Sequence, residues 1–292
     1  MTTIPAIHPA WTRAPTGMTD GYSLEMTAKD RPALREAADR IAPDTPVAIT
    51  FLPGETIDAR IAAAVEVRTL GLEPMPHLSA RRIATLDELS ATVERTVAEA
   101  GVRRMFLVAG DPPTPVGPFA DTMALLQTGL FERNGITAIG IAGHPEGHPA
   151  MDSATCHAVL KAKRDDIAAR GMATLIVTQF GFDPDPFITW LEDLRANGID
   201  SPVRIGVPGP AGIKTLLRFA AHCGVGASVS ALGKYGISLT KLLGSTGPDA
   251  LVDRLAERLT PAHGPVRLHF YPFGGLVRAV DWIKAYEGRA HD

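Results

Sequence analysis

The chain alternates, over most of its length, between a short β-branched or apolar run, a turn containing Gly, Pro or Asp, and an amphipathic stretch of helical period. The runs that read as strands are Gly21–Met26, Pro46–Phe51, Glu73–Leu78, Arg104–Ala109, Thr137–Ala142, Thr174–Gln179, Val203–Val207 and Arg267–Tyr271. Helical patterns such as Ile57–Leu70, Leu86–Ala100, Ala154–Arg170 and Pro186–Asn197 lie between them. Parallel strands need long crossovers, and a helix in each crossover covers the outside of the sheet. Repetition of this unit with no linker predicts an α/β fold, a single (β/α)8 TIM barrel over 21–292 that follows an N-terminal extension of 1–20. An open doubly wound sheet competes with it, but no GxGxxG follows the first strand.

The punctuation agrees with the pattern. Gly71, Gly101, Gly171 and Gly198 each follow a helical segment, where a left-handed residue ends a helix at least cost if it lacks a Cβ. Thr85 and Glu88 form a capping-box pattern before the helix that ends near Ala100. The stretch Ala211–Leu259 is too long for one helix and predicts two or three helices, more than the usual one, between strands seven and eight.

Charge and cysteine usage narrow the function. With 29 Lys plus Arg against 32 Asp plus Glu the net charge is -3, which offers no field for nucleic acid or a membrane surface, and neither is an expected partner. No apolar run approaches the roughly 20 residues that span a bilayer. Met1–Asp20 lacks the basic and then apolar order of a secretory signal. Cys156 and Cys223 have no CxxC or zinc-type spacing, so reduced thiols and a cytoplasmic setting are expected.

In a barrel of this kind the chemistry sits at the C-terminal ends of the strands. The polar residues at those ends are Glu25, Thr50, His77, Asp111, His144, Glu146, His148 and Gln179. Glu25 interrupts an apolar strand, and a carboxyl shielded at a barrel mouth can hold the proton that a general acid gives; pairing with a neighbouring cation is the structural alternative. Asp111 follows Gly110 and precedes Pro112-Pro113, a stiff loop that suits a positioned charge and an ordinary turn equally. Gln179 lies near Phe180 and Phe182, an amide beside rings that can read the edge and face of a flat heterocycle or simply pack in a core.

His144-Pro145-Glu146-Gly147-His148-Pro149 has ligand types suited to zinc or iron, but it is interrupted by Pro and Gly and is not on a helix as HExxH is. No metal is expected; hydrogen bonding to a bound cofactor or to the loop itself is the better reading. Lys161, Lys163 and Arg164 read as a solvated helix face that a phosphate-bearing cofactor could use.

Taken in order, Ser23-Leu24-Glu25, Ile49-Thr50-Phe51, Pro76-His77-Leu78, Gly110-Asp111-Pro112-Pro113, the His144–Pro149 run, Thr178–Asp183, Val207-Pro208-Gly209 and His269-Phe270-Tyr271 resemble the methylenetetrahydrofolate reductase family. The similarity spans about 21–271. The resemblance implies a (β/α)8 barrel that binds FAD and transfers hydride between NADH or NADPH, FAD and 5,10-methylenetetrahydrofolate to give 5-methyltetrahydrofolate; run in reverse, it would oxidise methyl groups. It implies Glu25 as the general acid, Asp111 as the carboxylate that favours a cationic iminium, and Gln179 and Phe219 as substrate contacts, to which the ring of Phe182 is added. For FAD it implies Thr50, His77, Gly110, Phe119, Ala120, His144, His148 and Lys163. Many relatives are dimers or tetramers, so a homo-oligomer is consistent with it.

The sequence departs from the family at several cofactor positions. Ala109 replaces an Arg, Phe119 and His144 replace tyrosines, and Cys156, Val159 and Ala162 stand where Asp, Asn and Arg are usual. The last strand continues as Pro272-Phe273-Gly274-Gly275 in place of an Asn-Arg ending. The flavoprotein is the favoured expectation. A flavin-free reductase with direct hydride transfer, a folate-dependent methyltransferase barrel and a non-catalytic folate- or flavin-binding module are the alternatives.

Overall fold

The computed structural model describes residues 17–52, 54–223 and 247–289. Eight strands close into a parallel barrel in sequence order: β1 (Ser23–Met26), β2 (Pro46–Ile49), β3 (Glu73–Ser79), β4 (Arg104–Val108), β5 (Ala138–Gly143), β6 (Ala173–Phe180), β7 (Val203–Pro208) and β8 (Val266–Tyr271). Pairing of Ser23 with His269 and Leu24 with Phe270 joins the last strand to the first. The open doubly wound sheet is thereby excluded.

The outer layer holds α1 (Arg31–Ala37), α2 (Ile57–Thr69), α3 (Leu86–Ala100), the short α4 (Thr122–Leu126) and α5 (Leu130–Arg133), α6 (Ser153–Ala169), α7 (Pro184–Ala196), α8 (Ile213–His222), α9 (Asp249–Arg258) and α10 (Leu276–Arg289). Helices α8 and α9 are two of the helices expected between β7 and β8; residues 1–16 of the N-terminal extension and the middle of 211–259 lie outside the described residues. None of the described helices is long and apolar enough to cross a membrane.

The period-2 alternation of each strand sorts its side chains between two apolar clusters. Leu24 and Met26 of β1 pack outward in the cluster that includes Leu34 of α1 and Ile283 of α10. A second cluster, built from Ala48, Met75, Phe106, Ala138, Ala173, Leu175 and Val177, fills the barrel interior. Ser23 and Glu25, of opposite parity to Leu24 and Met26, therefore face inward, and so does His269 between Leu268 and Phe270. Buried Arg204 and Arg267, lower on β7 and β8, close the interior from below.

The helix ends follow the sequence signals. Gly71, Gly101, Gly171 and Gly198 all have positive φ. The capping box forms only in part: Thr85 Oγ1 accepts from the Glu88 N–H at 3.1 Å, but the Glu88 carboxylate accepts from the N–H of Ala84 at 2.8 Å, one residue before the cap. The extended backbone of Thr85, with φ -142° and ψ 162°, accompanies this shift.

Candidate active site

The centre of the site is one carboxyl between two imidazoles. Glu25 Oε2 lies 3.9 Å from His77 Nε2 and 3.8 Å from His269 Nε2, beyond the range of a hydrogen bond. His269 is fixed from behind by Ser23, with Nδ1 and Oγ 2.8 Å apart, and its ring stands edge-on to Tyr271. Burial pushes the His77 imidazole down to about 4; Glu25 pulls it up, while His269 and Arg60 push it down. His77 is therefore uncharged at neutral pH, and its approach to Glu25 is not an ion pair. The Glu25 side chain is 19% exposed, which leaves it open to a ligand entering the mouth.

Beside this centre stands an aromatic wall drawn from three elements. Phe219 of α8 stacks on Phe273 with centroids 4.2 Å apart, Tyr271 lies nearly parallel to Phe273, and Phe180 meets Phe273 and Phe182 edge-on. Tyr271 donates its hydroxyl to the Thr178 carbonyl at 2.9 Å, and burial, with Glu25 and Cys223 adding to it, holds the phenol proton well above its ordinary range.

Gln179, of the same parity as the inward Leu175 and Val177, lies at a register shift near the end of β6. Pairing with β7 skips between Val177 and Phe180, an irregularity of the kind that redirects side chains near sites. Thr178 Oγ1 accepts from the Gly206 N–H at 2.9 Å and donates to the Gln179 carbonyl at 2.8 Å. A Cβ on Gly206 would come within 2.7 Å of the Phe180 nitrogen, so the close approach requires glycine. Gln179 Oε1 accepts from the Phe180 N–H at 3.1 Å, and its amide nitrogen has no hydrogen bond among the described residues. Asp183 caps α7 by accepting from the Asp185 N–H.

Asp111 occupies the rim. Its side chain is 88% exposed and 3.3 Å from Arg82 Nη2, and Gly110 before it has a φ of 93°. A pair so exposed contributes little to stability. Glu25 and Asp111 both raise the Cys223 thiol, after burial as the main cause, so the end of α8 lies within electrostatic reach of each.

The residues expected to hold a cofactor divide into groups. Thr50 directly follows β2, half-buried, with its N–H bonded to the Met26 carbonyl. His148 stands edge-on to His144 at 4.9 Å; burial pushes His144 down to about 4, with His148 and Lys163 adding to the shift. Lys163 is half-buried, its ammonium pushed down by burial, and it has no hydrogen-bonded carboxylate among the described residues, with Asp121 acting on it only through space. Beside His144 a cleft of about 480 Å³ is bordered by Glu146, Cys156 and His157, and the buried His157 Nε2 lacks a hydrogen-bond partner among the described residues. The half-buried Lys163 ammonium and the uncharged His144 within its electrostatic reach have the chemistry that the phosphates of FAD require. Ala120 is exposed and gives its carbonyl to Arg81, whereas Phe119 is 5% exposed within the outer core.

Residue reading passed over His269, Tyr271 and Phe273 as site residues. The signal was present in β8: Arg267, His269 and Tyr271 alternate with Val266, Leu268 and Phe270, and that parity points them inward. Arg60 and Arg82, each with its guanidinium about 5 Å from the Phe51 ring centre, come from separate segments that only the fold brings together.

Comparison with known proteins places this geometry in context. Thermus thermophilus dihydropteroate synthase superposes with a TM-score of 0.51 at 12% identity, and an uncharacterised Clostridium thermocellum protein that binds two copies of 5-methyl-5,6,7,8-tetrahydrofolic acid with 0.61 at 14%, the latter over 94% of this chain and 96% of that one. These share the barrel fold. The 5,10-methylenetetrahydrofolate reductase of Escherichia coli is 30% identical over 203 residues, covering 66% of this chain and 64% of its own. Methylenetetrahydrofolate reductase (NADH) 1 of Arabidopsis thaliana is 27% identical over 183 residues, and the matched part is 31% of its length, so the chain spans about a third of the plant relative. The family model for methylenetetrahydrofolate reductase matches residues 22–236, from β1 through the aromatic wall's α8, and the chain belongs to that family.

Proposed function

We propose that this chain is an oxidoreductase that reduces 5,10-methylenetetrahydrofolate to 5-methyltetrahydrofolate at the mouth of the barrel. The observation that carries the reading is Glu25, held among His77, His269 and Ser23 with no hydrogen bond of its own from the described residues. A carboxyl so placed can give its proton to a folate nitrogen as the methylene bridge opens to an iminium. The hydride comes from NAD(P)H, so one hydride and one proton enter the folate and NAD(P)+ leaves. Gln179 offers its free amide to the edge of the pterin, and the rings of Phe182 and Phe219 pack against its face. Asp111 supplies negative charge at the rim, where a cationic intermediate is favoured.

FAD, when bound, supplies a two-electron carrier between nicotinamide and folate. Lys163 and His148 would hold its phosphates and adenosine side, with His144 beside them, and Thr50, His77 and Gly110 its approach to Glu25. Phe119 favours a second reading: packed in the core, it offers a cofactor no surface, and with Ala109 in place of an arginine this supports a flavin-free reductase that passes hydride directly from nicotinamide.

The test is the visible spectrum of the purified protein before and after FAD is added, with NAD(P)H oxidation followed in the presence of 5,10-methylenetetrahydrofolate. Flavin bands with turnover are expected; turnover by a colourless protein selects the second reading, and absence of turnover in either state contradicts both.

A further inference from the structure

The hub of the aromatic wall is a residue that the proposed chemistry does not use. Phe273 touches three rings on three elements: it stacks on Phe219 of α8 at 4.2 Å and 18°, lies at 17° to Tyr271 of β8, and receives Phe180 of β6 at 4.7 Å and 71°. Phe180 also touches three rings, Phe182, Tyr271 and Phe273, but among the described rings only Phe273 stacks on Phe219.

The backbone holds this ring firmly. The Phe273 N–H donates to the Tyr271 carbonyl at 2.8 Å, and the Gly275 N–H donates to the Pro272 carbonyl at 2.9 Å. The Tyr271 carbonyl also accepts from the Gly209 N–H at 2.8 Å, which ties the turn to the end of β7. On the far side, a Cβ at Gly274 would collide with the Pro210 carbonyl oxygen, so the segment fits against the β7–α8 loop only with glycine there. Pro272 restricts the backbone before the ring, and both neighbours of Phe273 thus serve its placement.

Phe219 is held differently. It lies on α8, whose N-cap, Gly212, makes no side-chain capping bond, and among the described residues the ring and cation that meet its face are Phe273 and the adjacent Arg218 guanidinium at 5.4 Å. Phe273 therefore bounds one face of the Phe219 ring. From Glu25 a continuous chain of ring contacts runs outward through His269, Tyr271 and Phe273 to Phe219, so the position of Phe273 fixes where a flat ring meets the wall relative to the carboxyl.

We infer that Phe273 is a positioning residue for ligand specificity: it orients Phe219 and Tyr271 so that the site selects a ligand by stacking on a flat aromatic ring, either the folate or the nicotinamide. This rests on the reductase reading of the same site. It ascribes to a neutral aromatic contact the edge of the site where the family's Asn-Arg ending is absent.

The experiment measures equilibrium binding of 5-methyltetrahydrofolate and of NAD+ by calorimetry, and KM and kcat for both substrates, in the full chain and in Phe273→Ala, Phe273→Leu and Phe273→Tyr. Stacking of a flat base on one aromatic side chain is lost on truncation with a change of about tenfold or more in affinity. Phe273→Ala is expected to weaken one ligand by about tenfold and raise its KM alike, with kcat changed less than about threefold. Phe273→Tyr restores binding, while Phe273→Leu, which keeps bulk without a ring and guards against a folding defect, does not. The ligand that weakens identifies the ring being read. Wild-type protein that binds either ligand while all three variants bind within about threefold overturns the inference and leaves the reductase reading intact; so does Phe273→Leu behaving as wild type, since bulk alone then suffices. Wild-type protein that binds neither ligand overturns both.

Discussion

At the scale of single residues, burial determines what the site's titratable groups can do. His77 is 9% exposed, and its imidazole is pushed from an ordinary 6.5 down to about 4. Its folded value lies below the unfolded one, so as pH falls through the interval the unfolded chain takes up the proton first. The stability this contributes is fully present above about 6.5, is lost progressively toward 4 and changes no further below it; one such imidazole accounts for on the order of 3 kcal/mol. Chemical denaturation at pH 7, 5.5 and 4 checks this: His77→Gln should flatten the acid limb relative to wild type, and parallel limbs would show that another group governs it. Glu25 was visible in the sequence because a carboxylate in an apolar strand is conspicuous. The two imidazoles around it come from β3 and β8, separated by most of the chain, and only closure of the barrel brings them together.

At the scale of elements, the eight strand runs and the four helical patterns agree with the structure to within about two residues, because outward-facing Val, Ile and Leu and C-terminal glycines mark them locally. The register shift in β6 left no such mark. It depends on Thr178 bonding across to Gly206 and on the space that glycine leaves, a property of the β6–β7 pair. Gly206→Ala is expected to cost about 1–3 kcal/mol by overpacking, and because the clash falls on the backbone of Gln179 and Phe180 it should raise KM for folate more than it lowers kcat. Thermal unfolding and steady-state kinetics on the same preparation separate the two effects, and an unchanged KM would mean that the bulge does not aim Gln179. Thr85→Ala serves as a control element far from the rings: loss of its bond to the Glu88 N–H should cost about 1 kcal/mol with no kinetic change.

At the scale of the molecule, the seam between β1 and β8 is covered by α10 packing on α1, with Arg40 bridged to Asp281. Trp282 anchors that cover: 8% exposed, it packs against Phe270 and donates Nε1–H to Asp249 at 3.0 Å. Trp282→Ala should therefore cost about 3–5 kcal/mol, read by denaturant unfolding. The closed barrel also separates the two halves of the proposed site: Glu25 lies inside the ring of strands, whereas His144 borders a cleft that it shares with Cys156, His157 and Trp190 of the outer helices. The most direct test of the central claim compares wild type with Glu25→Gln for NAD(P)H oxidation with 5,10-methylenetetrahydrofolate, with folate binding measured on the same samples. Loss of about 10²-fold or more in kcat with folate affinity kept within about threefold is the predicted result. Turnover preserved in Glu25→Gln would contradict the assignment of the proton to this carboxyl and with it the account of the site.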